Sequence, residues 1–236
     1  MDSTTKKTRK IIVTQALPYA NASLHLGHIL EAVQTDIWVR FQNINQNECL
    51  FFCADDTHGT PVMLKAKELG IEPEELIKNV QLDHIETYDL YDIKFTNFHS
   101  THSDENKKYS EQIYLKAKDN GYISRKTINQ LFDESESMFL SDRFVKGTCP
   151  KCGAEDQYGD NCSVCGATYD VSDIKNPMSA ISNTKPIKKE SEHLFFDLPK
   201  QIDTLKDFLK NSDLQKPITN KLNEWLNDNL QKWDIS

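Results

Sequence analysis

Residues 10–30 read KIIVTQALPYANASLHLGHIL. The opening run, Lys10 to Gln15, is rich in β-branched residues and predicts a first strand, because such side chains suit a pleated, half-buried surface. A proline-containing loop follows from Ala16 to Ser23, and His25-Leu26-Gly27-His28 then opens a helix. In that helix Leu30, Val33, Ile37, Phe41 and Ile44 recur at helical spacing, which predicts one apolar stripe. The second strand is Cys49 to Cys53. Working outward, Thr60-Pro61 supplies a helix N-cap followed by proline at the first helical position, and that helix stops near Gly70. A polar helix is predicted over 74–92 and a third strand over 95–98. A further helix opens at Asp104 and Glu105, carries Tyr109, Ile113 and Ala117, and ends at Gly121. Strand–helix alternation of this kind predicts an α/β fold, the first half of a Rossmann-like, doubly wound parallel sheet. After Gly121 the pattern changes to short strand-like runs and a cysteine cluster. Two helices follow, over 201–210 and 218–233, the second with Leu222, Trp225, Leu226, Leu230 and Trp233 on one face.

The bulk numbers set bounds. With 236 residues, 38% hydrophobic and 27% charged, the chain can bury a core and stay soluble. No stretch approaches the roughly 18 apolar residues of a membrane span, and Lys6-Lys7-Thr8-Arg9-Lys10 leads straight into a strand with no signal-peptide apolar region. The expected location is cytoplasmic, with no membrane partner. A net charge of −8 argues against wholesale coating of a nucleic acid, DNA included, since counterion release needs many cations on one face. Lys185, Lys188 and Lys189, or Arg143 with Lys146, could form local basic patches; an ordinary solvated face is the competing reading.

Three stretches carry chemistry. His25-Leu26-Gly27-His28 sits between a strand and a helix, where unpaired amides and a partial positive charge attract phosphate. Two imidazoles one turn apart could both face that phosphate, and Gly27 would let a base lie close to the backbone; alternatively the histidines only cap the helix. Asp55-Asp56-Thr57-His58-Gly59-Thr60 falls at the carboxyl end of the second strand, the ligand-binding edge of such sheets. Its acidic pair could hold an ammonium group or could be a capping and turn sequence. Cys149-Pro150-Lys151-Cys152-Gly153 and Cys162-Ser163-Val164-Cys165-Gly166 form two C-x-x-C turns. Cys149, Cys152, Cys162 and Cys165 fit a closed, structural, tetrahedral zinc site, with disulfides as the rival. Cys49 and Cys53 are about 13 Å apart along a strand, beyond disulfide reach, and are expected as reduced core residues.

Taken together, Thr14 to Asn21 with His25 to His28, Cys53 to Thr60, Asp142 to Cys149, Ser191 to Phe196 and Gln231 to Ser236 resemble the signatures of methionyl-tRNA synthetases, class I aminoacyl-tRNA synthetases. The resemblance covers residues 10–236. It implies a methionine–tRNA ligase: ATP, bound with Mg2+ as a substrate, activates methionine, and the methionyl group then passes to tRNA. It implies that His25 and His28 are catalytic, that Tyr19, Asn21, His25, Gly27 and His28 bind ATP, and that Ala16, Leu17, Tyr19 and Asp56 bind methionine, with Asp56 and the Leu17 carbonyl on the substrate ammonium. It places residues 1–121 in the N-terminal half of the nucleotide-binding catalytic domain. Residues 122–236 become a connective insertion with a zinc knuckle near 149–166, facing the tRNA acceptor end.

The family's second signature, Lys-Met-Ser-Lys-Ser, does not occur; Pro177-Met178-Ser179-Ala180 lacks its lysines. The expectation is therefore a truncated enzyme, inactive alone and partnered by its missing C-terminal half. A nonenzymatic zinc-containing module that binds RNA or protein is the alternative, although it would not need the histidine and aspartate signatures. Another H-x-G-H enzyme, such as a nucleotidylyltransferase, is disfavoured by the cysteine insertion and the Ala16–Tyr19 segment.

Overall fold

The computed structural model describes residues 8–227 and 230–236. The basic lead-in at Lys6 and Lys7 lies outside them. No helix among the described residues is long and apolar enough to cross a membrane. The chain divides into two compact units, residues up to 107 and residues from 108.

The first unit contains β1 (Lys10–Thr14), α1 (Leu26–Ile44), β2 (Glu48–Asp55), α2 (Thr60–Leu69), α3 (Pro73–Leu90) and β3 (Asn97–Ser100). The strands form a parallel sheet in the order β1-β2-β3, with Val13 beside Phe51 and Cys53 beside Phe98. Parallel pairing follows from the helical crossovers, which return the chain to the same end of the sheet. Along β2 the residues Cys49, Phe51, Cys53 and Asp55 point into the protein, and both cysteines are free and buried. One core joins Phe51 to Ile29, Ala32, Val39, Tyr88 and Ile93; a second joins Ala20, Val62 and Ala66 to Leu76, Ile77 and Val80.

Three expectations are corrected here. The face of α1 that meets the sheet is Ile29, Ala32, Asp36 and Val39, and of the predicted stripe Val33 alone packs against that core: Leu30 is 59% exposed and Ile44 81%, against 7% for Ile29. Asp36 is the reason. It interrupts the true apolar face in sequence, yet is buried because it accepts from Arg40 Nε at 2.5 Å and from the Lys94 amide at 3.2 Å. The third strand begins at Asn97 rather than residue 95. Thr96 locks the entry, its amide donating to the Phe51 carbonyl and its hydroxyl oxygen accepting from the Phe51 amide. Phe95 instead packs against Phe51 and Tyr88, with ring centroids 4.5 and 5.0 Å away. The N-cap of α2 is Gly59, and Thr60 is its first helical residue.

Helix α4 (Asp104–Asp119) starts in the first unit and runs into the second. It buries none of its residues, so Tyr109 and Ile113 lie on an exposed face, and Gly121 takes the left-handed conformation beyond its end. The second unit continues with β4 (Ile123–Asp133), β5 (Met138–Phe139), β6 (Val145–Thr148), β7 (Gln157–Tyr158), β8 (Lys175–Ser179), β9 (Ile187–Phe196), α5 (Ile202–Asn211), α6 (Lys216–Asn227) and β10 (Trp233–Asp234). These strands form two antiparallel sheets, β10-β9-β4-β5 and β7-β6-β8. Leu222, Trp225, Leu226 and Leu230 share one apolar cleft with Leu205, Phe208 and Leu209 of α5, as the predicted face requires. Trp233 does not join them. The described helix ends at Asn227, and Trp233 pairs with Phe196 in β10. The predicted helix over 218–233 crosses 228–229, which lie outside the described residues.

Candidate active site and metal centre

The turn from β1 to α1 presents the two signature histidines. His25 is the N-cap of α1: its Nδ1 accepts from the Gly27 amide at 3.0 Å, and its own amide donates to His28 Nδ1 at 3.3 Å. The rings stack, centroids 3.7 Å apart. Capping and ligand binding are therefore compatible, because both caps use Nδ1. An imidazole that accepts at Nδ1 carries its proton on Nε2, so each ring has a donor left over. Burial, His25 and His84 together hold His28 below the ordinary histidine value, which favours this neutral donor form. Gly27 is needed for the histidines before any base arrives, since a Cβ there would lie 2.8 Å from His25 Cε1.

At the carboxyl end of β2 the acidic pair splits. Asp55 points into the core and Asp56 is half-buried at the sheet edge. The Asp56 amide donates to the Pro18 carbonyl and its carbonyl accepts from the Ala20 amide, both at 2.8 Å. This bridge brings Tyr19 beside Asp56, and burial followed by the Asp56 charge pushes the Tyr19 phenol up. The Tyr19 hydroxyl donates to the His58 carbonyl at 2.6 Å. Gly59 approaches that hydroxyl so closely that a Cβ would sit 2.5 Å from it. Asn21 closes the turn, its amide donating to the Tyr19 carbonyl. The Ala16 amide donates to Glu31 Oε1 at 2.8 Å, and Leu17 is exposed. Tyr19, Asn21, His25, Gly27, His28 and Asp56 are thus gathered at one end of the parallel sheet, where doubly wound sheets take their ligands.

Sequence reasoning missed one member of this region. His84 of α3 is fully buried and bonds Asp55 on one side and the Ala22 carbonyl on the other. Its signal was available: Ile77, Val80, His84 and Tyr88 form the buried helical stripe of a helix that looked merely polar.

In the second unit the four cysteines come together, with all four sulfurs within 4.8 Å of one another. The Cys149–Cys165 and Cys152–Cys162 sulfur distances are 3.9 and 3.6 Å, close to the roughly 3.8 Å edge of a tetrahedron built on ~2.3 Å zinc–sulfur bonds. The two turns match: Gly153 and Gly166 are left-handed, and their amides donate to the Cys149 and Cys162 carbonyls. Burial pushes the Cys149 thiol up, but amide hydrogen bonds from Cys152 and Lys151 outweigh it and bring it down to about 6. Cys152 receives a hydrogen bond from the Ala154 amide, yet Cys165 and burial push it up to about 12. Four sulfur donors at this spacing, with no other ligand type among them, fit zinc, whose binding would displace the remaining thiol protons. Nearby, Arg143 pairs with Asp160 at 2.8 Å and Lys146 with Asp156 at 3.0 Å. That candidate basic patch is internally neutralised.

Residues 11–236 match the family described as tRNA synthetases class I (M). The chain belongs to this family. Among solved structures, the methionyl-tRNA synthetase of Mycobacterium tuberculosis in complex with methionyl-adenylate is similar to this class I synthetase chain at a TM-score of 0.71 and 19% identity, covering 97% of this chain and 41% of its own. A second crystal structure of that enzyme, bound by methionyl-adenylate, gives 0.69 and 19%, covering 98% and 41%. A LeuRS from Agrobacterium radiobacter K84, in a ternary complex with tRNA and LeuAMS, gives 0.64 and 17%, covering 94% and 25%. At these identities the likeness speaks for the class I synthetase fold, and the chain spans about two fifths of the length of the first two neighbours.

Proposed function

We propose that this chain carries the methionine- and ATP-binding part of a cytoplasmic methionine–tRNA ligase. The observation that carries the reading is the gathering of paired Nε2–H donors, on His25 and His28, with a half-buried carboxylate, Asp56, at one end of a parallel sheet. The M-type family match and the methionyl-adenylate held by the Mycobacterium neighbour support methionine as the amino acid.

In this reading Asp56 and the Leu17 carbonyl hold the methionine ammonium, while Ala16, Leu17 and Tyr19 line the amino-acid pocket. ATP, carried with Mg2+, lies along Tyr19, Asn21 and Gly27 with its phosphates toward His25 and His28. The methionine carboxylate attacks the α-phosphorus in line, the bond to pyrophosphate breaks, and methionyl-adenylate forms. The two imidazoles donate to the phosphoryl oxygens as charge builds there, which is positioning plus electrostatic stabilisation. A tRNA 3′-terminal hydroxyl then takes the methionyl group and releases AMP. Residues 122–236 serve as the connective insertion, stapled by structural zinc on Cys149, Cys152, Cys162 and Cys165; a closed four-ligand site leaves no position for catalysis.

Calorimetric titration with methionine tests the assignment. Asp56→Ala should weaken binding by about 1.5–3 kcal/mol, the worth of a charge-assisted hydrogen bond. Equal affinities in parent and variant would reject Asp56 as the ammonium partner.

A further inference from the structure

His84 and Asp55 are both 0% exposed, and they face each other between three elements of the first unit. His84 Nδ1 lies 2.6 Å from Asp55 Oδ1 at the end of β2, and Nε2 lies 2.9 Å from the Ala22 carbonyl in the turn before α1. We infer that His84 is a positioning residue: a buried crossbar that fixes the distance between the carboxylate Asp56, next to Asp55, and the imidazole His25, three residues after Ala22. The inference rests on the ligase reading for what those two ends hold, but the crossbar itself is a statement about this fold.

The chemistry of the partners sets the charge of the ring. A carbonyl oxygen only accepts, so Nε2 carries a proton. A carboxylate also accepts, so Nδ1 carries the second, and the ring is an imidazolium against an aspartate. The titratable groups that interact with it are Asp55 from β2, Asp83 from its own helix and His28 from α1. Burial opposes the charge, but the bonds to Asp55 and Ala22 and the charges of Asp55 and Asp83 outweigh it and hold His84 above the ordinary histidine value. Asp55 Oδ2 has no hydrogen-bond partner among the described residues, so this carboxylate leans on His84 alone. Removing one proton leaves a neutral ring with a single N–H, which can no longer donate both to Asp55 and to the Ala22 carbonyl, and the buried carboxylate loses its countercharge. The same cation lowers His28, so the crossbar also favours the neutral donor form of the signature ring. A core leucine at position 84 would fill the space and do none of this.

Nitrogen-15 NMR of the 236-residue chain tests the inference without any ligand. In the parent, His84 should show two ring N–H signals at pH 6. The backbone amides from Ala20 to His28 should shift together with it, at one midpoint above the ordinary ~6.5. In His84→Gln that midpoint should vanish. In Asp55→Asn, which keeps the ring, it should fall. Calorimetry with ATP should show parent affinity declining through the same midpoint, and His84→Gln should bind about tenfold more weakly at pH 6 with the pH dependence gone. A singly protonated ring at pH 6, turn amides that ignore the His84 midpoint, or a His84→Gln chain that binds ATP with the parent's affinity and pH profile would each overturn the crossbar. Should His84→Gln fail to fold, the Asp55→Asn titration decides in the same terms: a lowered midpoint supports the crossbar, and an unmoved one overturns it. Ring and turn titrating together in a chain that binds neither ATP nor methionine would support the crossbar and sink the ligase reading.

Discussion

Gly59 is held at φ +110° with the Tyr19 hydroxyl where a side chain would begin. Gly59→Ala combines backbone strain of about 1–3 kcal/mol with a clash against a hydrogen-bonded phenol. The expected result is a lower Tm together with weaker methionine binding; a variant with parental Tm and affinity would show that the close approach is dispensable. At this scale the sequence revealed residues whose role is local. His25 and His28 are three positions apart, and their place between strand and helix follows from the chain itself. For His84 the helical stripe marked an inward position, but not its partners: Ala22 and Asp55 are 62 and 29 residues away, and only tertiary folding brings them together. The split of Asp55 from Asp56 was legible in part: with Cys49 and Cys53 taken as core residues, strand alternation puts Asp55 on their face and Asp56 on the other.

Helix α1 shows how an element can be placed correctly and turned wrongly. Its existence was plain from periodicity, yet two apolar faces competed, and the buried Asp36 made the true one look polar. The distinction is measurable. Ile29→Ala should destabilise the first unit by about 2–5 kcal/mol, whereas Leu30→Gln or Ile44→Gln should stay within about 0.5 kcal/mol. The reverse ranking in urea denaturation would restore the predicted stripe. The cysteine turns were legible in full, since a C-x-x-C pair with a following glycine specifies its own geometry. Cys162→Ser should abolish stoichiometric zinc by elemental analysis and raise amide exchange across β6, β7 and β8 while leaving β2 protected. Full zinc content in that variant, or exchange that spreads evenly over both units, would exclude a local metal staple.

Across the whole molecule the two units should respond to opposite ends of the pH scale. In the second, Asp133 is held down to about 2 by Ser179, Ser182 and the Ser135 and Glu136 amides, and Asp170, Asp197 and Asp234 are also lowered. A depressed carboxylate contributes stability above its unfolded value of about 3.9, and loses it as pH falls through the folded value. In the first unit the raised His84 works the other way: its contribution is complete below about 6.5 and is lost as pH rises through the folded value. Hydrogen exchange corrected for intrinsic rates should therefore show β2 loosening toward alkaline pH and β4 with β9 loosening toward acid. Loosening of both units at the same end would refute the assignment.

The outer side of β1 is unpaired among the described residues, and a groove of about 550 Å³ runs beside it, lined by Ile11 to Thr14, Gln34, Thr35 and Trp38. An open strand edge invites a further strand. Trp38 is the only tryptophan of the first unit; the other two, Trp225 and Trp233, are in the second. In optical terms the groove therefore contains its own dye. Any strand that added to β1 would cover a half-open indole and move its emission to shorter wavelength. In a chain with Trp225 and Trp233 changed to phenylalanine, edge pairing between copies should appear as a concentration-dependent blue shift that Ile12→Lys abolishes.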